Sequence, residues 1–312
     1  MPNAEEIEFK DKFIERYSKL TDFEEFKKYS LSFLRRSIRV NTLKIPISDF
    51  KKRLEKDWDL TQIPWCKQGF WIEHKGKEKR RDIGNLIEHL LGYFYVQEAV
   101  SMIPPLVLDP KPGETILDIA ASPGSKATQI SQMMQNKGIL IANDYKGDRM
   151  RPLGINMQRL GITNSILTLM QGRFFKDLKF DRILVDAPCS GTGTIRKSLK
   201  TLRIWNPNMV KRISGTQRQL LETAFNNLKP NGTIVYSTCT LEPEEDEAVV
   251  SSFIEKYPNA KLEDIKLPGL KRSDPILGFN GEKYNPEVKK CLRLWPQDND
   301  TEGFFVAKIK KI

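Results

Sequence analysis

Five short apolar runs recur through the middle of the chain: "TILDIAA" (115–121), "GILIAND" (138–144), "NSILTLM" (164–170), "DRILVDA" (181–187) and "GTIVYST" (232–238). Most are separated by a segment of helix length. Each run is rich in β-branched residues and short enough for one strand. Strands that alternate with helices do not close as hairpins. They line up in parallel, and the crossing helices cover both faces of the sheet. The reading is therefore an α/β fold with a mostly parallel sheet. "KLEDIKL" (261–267) and "GFFVAKI" (303–309) bring the count to seven, the last inserting antiparallel. "GYFYVQEAVSMIPPLVL" (92–108) reads as a helix stopped by Pro104 and Pro105.

The first ninety residues have another rhythm. Ile7, Phe9, Phe13, Ile14, Tyr17 and Leu20 recur at helical spacing within 5–35, with a second short helix over 22–34. "SIRVNTLK" (37–44) alternates like a strand, 48–56 reads as a helix, and "GFWIE" (69–73) as a short strand. Residues 1–90 are thus expected to form a small α+β domain, and 91–312 the catalytic domain.

In a parallel sheet of this kind, ligands bind beyond the carboxyl ends of the strands. Cys189 follows the fourth strand and Cys239 ends the fifth. Neighbouring strand ends lie about 5 Å apart, so both thiols can face one crevice. "DIAASPGSKATQI" (118–130) reads as strand, small-residue turn, helix. Its glycine admits close approach of a ligand, and the helix start favours a negative group. It matches neither the GxGxxG nor the GxxxxGK[ST] fingerprint. Asp144 ends the next strand, where it can accept both hydroxyls of a ribose or cap the following helix. Gln171 follows the third strand and can meet an adenine or serve only in a turn.

Composition narrows the partners. Lys plus Arg is 51 against 40 acids, a formal +11, which favours an anionic partner or plain solubility. The clusters "RRSIR" (35–39), "KKR" (51–53) and "KGKEKRR" (75–81) suit phosphates or a solvated face. Cys66, Cys189, Cys239 and Cys291 are not at metal-ligand spacing and there are two histidines, so no metal is expected. No apolar run reaches the ~18–20 residues of a membrane span. The acidic start "MPNAEEIEFKDKF" is unlike a signal peptide, which makes the expected location cytoplasmic and disulfides unexpected.

Taken in order, "SIRVNTLK", "GYFYVQEAVSMIPP", "ILDIAASPGSKATQIS", "ILVDAPCSGTGTIRK", "IVYSTCTLEPEEDE" and "RLWPQDNDTEGFFVAKIKK" resemble the NOL1/NOP2/Sun family, from about residue 36 to the C-terminus. The family comprises S-adenosylmethionine-dependent RNA cytosine-C5 methyltransferases. The resemblance implies a Rossmann-like class I methyltransferase fold and S-adenosyl-L-methionine as cofactor. It implies that Cys239 is the nucleophile at cytosine C6 and that Cys189 releases the product. Asp186 would contact the flipped cytosine, support protonation at its N3 and also touch the cofactor, with Lys126 close to base and cofactor. Ala120, Ala121, Ser122, Pro123, Gly124, Ser125 and Lys126 match the loop around the methionine part of the cofactor, Asp144 the ribose acid, and Arg149 an arginine just after it. Two positions depart from the pattern: Ser125 replaces a second glycine, and Gln171 replaces an aspartate at the adenine.

The chemistry gives the two thiols separate work. Cytosine C5 is a poor nucleophile until a thiolate adds at C6. After methyl transfer C5 still carries a hydrogen, and a base must remove it before the first thiol can leave. On this reading the substrate is RNA, with tRNA favoured and rRNA the alternative, and the chain acts as a monomer. Arg196, Lys197, Lys200 and Arg203 are the expected backbone contacts, with Arg35, Arg36 and Arg39 extending the groove. Trp205 stacks on a base or anchors a loop. A competing class is an RNA-binding or ribosome-assembly protein with no chemistry, which would form no thiol adduct.

Overall fold

The computed structural model describes residues 7–77 and 82–312. The first six residues of the acidic start and positions 78–81 of the third basic cluster lie outside them. Among the described residues no helix is long and apolar enough to cross a membrane.

A small antiparallel sheet comes first. It contains β1 (Ser37–Val40), β2 (Trp58–Gln62), β3 (Gly69–His74) and β4 (Phe94–Val96), in the order β2-β3-β1-β4. The helix Ile47–Leu54 lies where 48–56 was expected, and Asp11–Tyr17 and Phe23–Ser30 account for the helical pattern before it. β4 pairs with β1, so the chain is still in this sheet a few residues beyond the boundary drawn at 90/91.

The expected helix over 92–108 is not what forms. Residues 94–96 are strand, Val100–Met102 is one 3-10 turn, and the α-helix is Ile103–Leu108. Pro104 and Pro105 stand in its first turn and begin it. The missing N–H of proline costs nothing at a helix start, where that group has no intrahelical partner.

The large sheet holds β5 (Thr115–Asp118), β6 (Ile139–Asp144), β7 (Ser165–Leu169), β8 (Phe180–Asp186), β9 (Leu228–Thr238), β10 (Ala260–Glu263) and, after a two-stranded ribbon of β11 (Gly278–Phe279) and β12 (Glu282–Lys283), β13 (Leu292–Leu294) and β14 (Phe304–Lys311). Its order is β10-β14-β9-β8-β5-β6-β7, with β13 also paired to β14. The pairs β5/β6, β6/β7, β5/β8 and β8/β9 are parallel, and β14 runs antiparallel to β9 as expected. The expected seven strands are all present; β13 is an eighth.

Alternate residues of each strand feed opposite faces, as a pleated strand requires. Leu117, Ile183, Val185 and Ile234 pack with Leu221, Phe225 and Phe253 of the helices Pro207–Asn226 and Glu247–Lys256. Ile116, Leu184 and Val235 pack on the other face with Ile103, Leu108, Ala127 and Leu153. Both faces are therefore covered. At the carboxyl edge of the sheet β5, β6, β8 and β9 finish together at Asp118, Asp144, Asp186 and Thr238.

Candidate active site

The turn after β5 leads into the helix Ser125–Met133 through Gly124, whose φ of +104° is a conformation L side chains rarely adopt. Three hydrogen bonds fix the turn to its neighbours. The Ala121 N–H donates to the Asn143 carbonyl at 2.7 Å, the Ser122 hydroxyl donates to the Arg149 carbonyl at 2.8 Å, and the Arg149 guanidinium donates back to the Ser122 carbonyl. The Asn143 amide donates to the carbonyls of Ile119 and Met170, tying the ends of β5, β6 and β7 together.

Two buried carboxylates open onto this turn with an oxygen to spare. Asp144 is 1% exposed, and its Oδ1 accepts from the Lys146 N–H at 3.1 Å. Among the described residues its Oδ2 has no hydrogen-bond partner, and the Arg149 guanidinium stands 3.5 Å away. Oδ2 of Asp118 is likewise orphaned. Burial, then the charge of Asp186, push the Asp118 pKa up to about 7, against the pull of Lys126. Orphaned buried acceptors are costly unless a ligand supplies donors. A ribose diol and an amino group are donors of that kind, so these residues fit the nucleoside and methionine ends of S-adenosylmethionine. The sequence pattern assigns Asp118 no role; its burial and its orphaned oxygen reveal it. Gln171 stands apart. It is exposed, and its side-chain oxygen accepts from Arg173 Nε at 3.0 Å.

The thiols meet beside this cleft. Cys189 Sγ lies 3.0 Å from Cys239 Sγ, and both residues are partly exposed. β8 and β9 are in register with Asp186 opposite Ser237, so the loops leaving them start side by side. The loops are then laced together. The Gly193 N–H donates to the Cys239 carbonyl at 3.0 Å, the hydroxyls of Ser190 and Thr192 both meet that of Thr240, and the Ser190 N–H donates to Glu245 at 2.9 Å. The Cys239 hydrogen bond, then burial, raise the Cys189 pKa well above its ordinary value. This disfavours the Cys189 thiolate, and either sulfur can donate in the contact between them.

Lys126 reaches over from the helix after the glycine turn. Its ammonium is 2.7 Å from Asp186 Oδ2, while Asp186 Oδ1 accepts from the Ser237 hydroxyl at 2.8 Å. Burial opposes the Lys126 charge, but Asp186 outweighs it and holds the pKa above the usual lysine value. The structure thus gathers Cys189, Cys239, Asp186 and Lys126 in one place.

The residues offered as RNA contacts divide. Arg35, Arg36, Lys197, Lys200 and Arg203 are exposed. Arg39 and Arg196 are corrections. Arg39 is 1% exposed and donates to Gln97, Thr128, Gln129 and the Ser125 carbonyl, fastening the small sheet to the helix after the glycine turn. Arg196 is 4% exposed and donates to the Thr301 and Phe33 carbonyls, Ser32 and Asp300. The terminal nitrogens of both guanidiniums are engaged inside the protein. Trp205 is the anchor, not the platform: it is buried, packs edge-on to Phe13 and donates to Glu242 at 2.7 Å. Among the described residues no acid, histidine and cysteine cluster is arranged to hold a metal ion.

Comparison with known proteins follows the same lines. Residues 105–310 match the family described as 16S rRNA methyltransferase RsmB/F, and residues 9–99 the N-terminal domain of 16S rRNA methyltransferase RsmF. This chain belongs to the RsmB/F methyltransferase family, the NOL1/NOP2/Sun group. It is 50% identical over 303 residues to a tRNA (cytosine(49)-C(5))-methyltransferase of Pyrococcus abyssi, covering 96% of each chain. It is 45% identical over 284 residues to the ribosomal RNA small subunit methyltransferase F of Escherichia coli, covering 89% of this chain and 57% of that one. The chain thus spans somewhat more than half the length of that bacterial relative. A methyltransferase homolog protein from Pyrococcus horikoshii superposes with a TM-score of 0.82 at 37% identity, covering 92% of this chain and 90% of that one. NSun6 from the same organism, solved with SFG, superposes with a TM-score of 0.79 at 25% identity, covering 92% and 94%.

Proposed function

We propose that this methyltransferase methylates C5 of a cytosine in tRNA, through a covalent bond between Cys239 and cytosine C6, with S-adenosylmethionine as methyl donor. The observation that carries the proposal is the 3.0 Å pair of thiols beside a Lys126–Asp186 ion pair at the carboxyl ends of β8 and β9. The preference for tRNA rests on the archaeal relative, which matches end to end at 50% identity. The family description and the bacterial relatives favour rRNA as the second reading.

S-adenosylmethionine would supply an electrophilic methyl group. Asp144 Oδ2 and Asp118 Oδ2 are its natural acceptors, the turn 120–124 its cradle, and the relative solved with SFG, an analogue of that cofactor, supports the choice. Cys239 adds to C6, and the C5–C6 double bond becomes the nucleophile at C5. Asp186 is engaged as an acceptor by Lys126 and Ser237, so its free lone pairs suit the N4–H of cytosine. The donor toward N3 or O2 is then Lys126, whose ammonium has N–H groups to spare. Cys189 finally takes the C5 proton and Cys239 leaves, restoring the double bond. The order of events follows from what holds the proton on Cys189. The largest cause is its hydrogen bond with Cys239. Once Cys239 is a thioether that hydrogen bond weakens, and Cys189 can release its proton to solvent, leaving the thiolate that the C5 proton then reprotonates.

The test is transfer of labelled methyl groups into separated tRNA and rRNA pools. Label in tRNA as 5-methylcytosine is expected; label only in rRNA would move the substrate to the second reading. Two smaller predictions concern the cofactor cleft. Asp144→Ala should weaken S-adenosylmethionine binding by about 1–3 kcal/mol in calorimetry, since a buried acceptor is removed; an unchanged affinity would leave Asp144 as a helix cap. Asp118 has a folded pKa of about 7 against 3.8 unfolded, so its contribution to stability is complete below about pH 4 and lost as pH rises through 7. Asp118→Asn should therefore flatten the loss of thermal stability over that window, by at most about 4 kcal/mol. An unaltered slope would contradict the assignment.

A further inference from the structure

A cavity of about 760 Å³ lies between the small sheet and the catalytic domain, and Cys189, Cys239, Asp186 and Lys126 are not among its lining residues. One wall is Thr61 on β2 and Trp71 on β3, where the Arg35 guanidinium covers the indole at 3.9 Å. Arg36, whose carbonyl accepts from the Ile72 N–H beside Trp71, and Lys197 add exposed cations to the lining. Its polar floor is Glu98 and Glu302.

Glu302 is the unusual member. It is 5% exposed, and among the described residues its Oε1 has no hydrogen-bond partner. Its backbone N–H donates to Glu98 Oε1 at 3.3 Å, while Glu98 Oε2 accepts from the Val100 and Ser101 N–H groups. Glu302 is thus fixed through its backbone beside Glu98, and its carboxyl keeps an unused acceptor. It is also tied to the thiols. The next residue, Gly303, donates from its N–H to the Gly193 carbonyl at 2.9 Å, and the Gly193 N–H donates to the Cys239 carbonyl. A Cβ at Gly193 would stand 2.3 Å from the Gly303 carbonyl oxygen and 2.8 Å from that of Cys239, so the three strands of backbone are in close contact. The backbone beside Glu302 is therefore tied to the loop that carries Cys239.

The combination of a guanidinium stacked on an indole, cations and one buried acceptor matches a single-stranded nucleotide: the Arg35 plane on Trp71 as a stacking surface for the base, charge for the phosphate, and one acceptor for the base edge. We propose that this cavity holds the RNA nucleotide adjoining the target cytosine and that Glu302 reads its base edge, accepting from ring and exocyclic N–H groups. Guanine is the base that presents two such donors side by side. The inference rests on the RNA cytosine reading above, and it adds a specificity residue to it.

The experiment compares short RNAs that differ only in the nucleotides beside the target cytosine. Both methylation kcat/KM and binding by fluorescence anisotropy are measured for wild type and Glu302→Gln. Wild type should prefer one flanking base, and the variant should lose about tenfold on that RNA with little change on the others. Lys197→Ala should weaken every RNA alike. Thr61→Met, which intrudes from the exposed rim without a change of charge, should also erode the preference and serves if Glu302→Gln does not fold. A wild type indifferent to the flanking base, or a variant that loses equally on all RNAs, would overturn the proposal. Because binding needs no methyl transfer, ranked binding without 5-methylcytosine would count against the catalytic reading and not against this one.

Discussion

Replacing Cys239 by alanine is expected to abolish methylation, by at least about a thousandfold, and to remove covalent capture of RNA entirely. The expectation is strong because nothing else in the site can take over. Cys189 is the other sulfur, 3.0 Å away; the substitution removes its hydrogen bond with Cys239, but its burial still raises its pKa and disfavours a thiolate there. Cofactor and RNA binding should survive, since Asp118, Asp144 and the exposed cations are untouched. Cys239 packs beside the apolar face that includes Val235 and Phe304, and alanine there leaves the core intact. Activity retained in this variant would show that the β9 cysteine is not the nucleophile.

Cys189→Ala should fail in the opposite sense. Addition at C6 and methyl transfer need only Cys239, so the variant should react once and then stall with C5 still protonated. The product is a denaturant-resistant protein–RNA adduct formed with ordinary cytosine, visible as a shifted band under denaturing electrophoresis. Multiple turnover should fall by several orders of magnitude while the single-turnover burst remains. The double variant should form no adduct, because the bond that persists is the one to Cys239. A Cys189→Ala protein that turns over freely, or that binds RNA and never traps it, would remove the assigned division of labour.

Much of this site could be read from residue order because strand ends are where sequence and geometry coincide. A short apolar run that ends in Asp, Cys or Thr puts that residue at the crevice, whatever the intervening helices do. Asp144, Asp186, Cys189 and Cys239 stand where that argument sends them. Long-range pairing is what the sequence conceals. Arg39 and Arg196 belong to basic stretches that read as phosphate contacts, yet each is buried by acceptors far along the chain, Gln129 for one and Thr301 for the other. The run "EPEEDE" (242–247) looks like a solvated acidic turn. Glu242, Glu245, Asp246 and Glu247 are instead fully buried. Glu242 takes Arg16, Tyr17 and Trp205; Glu245 takes Ser190 and Gln217; Asp246 and Glu247 share Arg293. These acids brace the loop that carries Cys239, and no local pattern distinguishes them from surface charge. Pro104 and Pro105 mislead for a related reason. Proline ends a helix from within and begins one from its first turn, and only the position of the helix decides between them.

The central claim is that Cys239 bonds to C6 of a cytosine in RNA. It is tested most directly by incubating the protein with S-adenosylmethionine and tRNA containing 5-fluorocytidine, in which the C5 fluorine cannot leave as a proton does. The captured RNA is then located by mass spectrometry of the digested protein. The account predicts one adduct, on the peptide that carries Cys239, with a methyl group added to the trapped base. An adduct on Cys189, or none when binding of both RNA and cofactor has been confirmed, would contradict it.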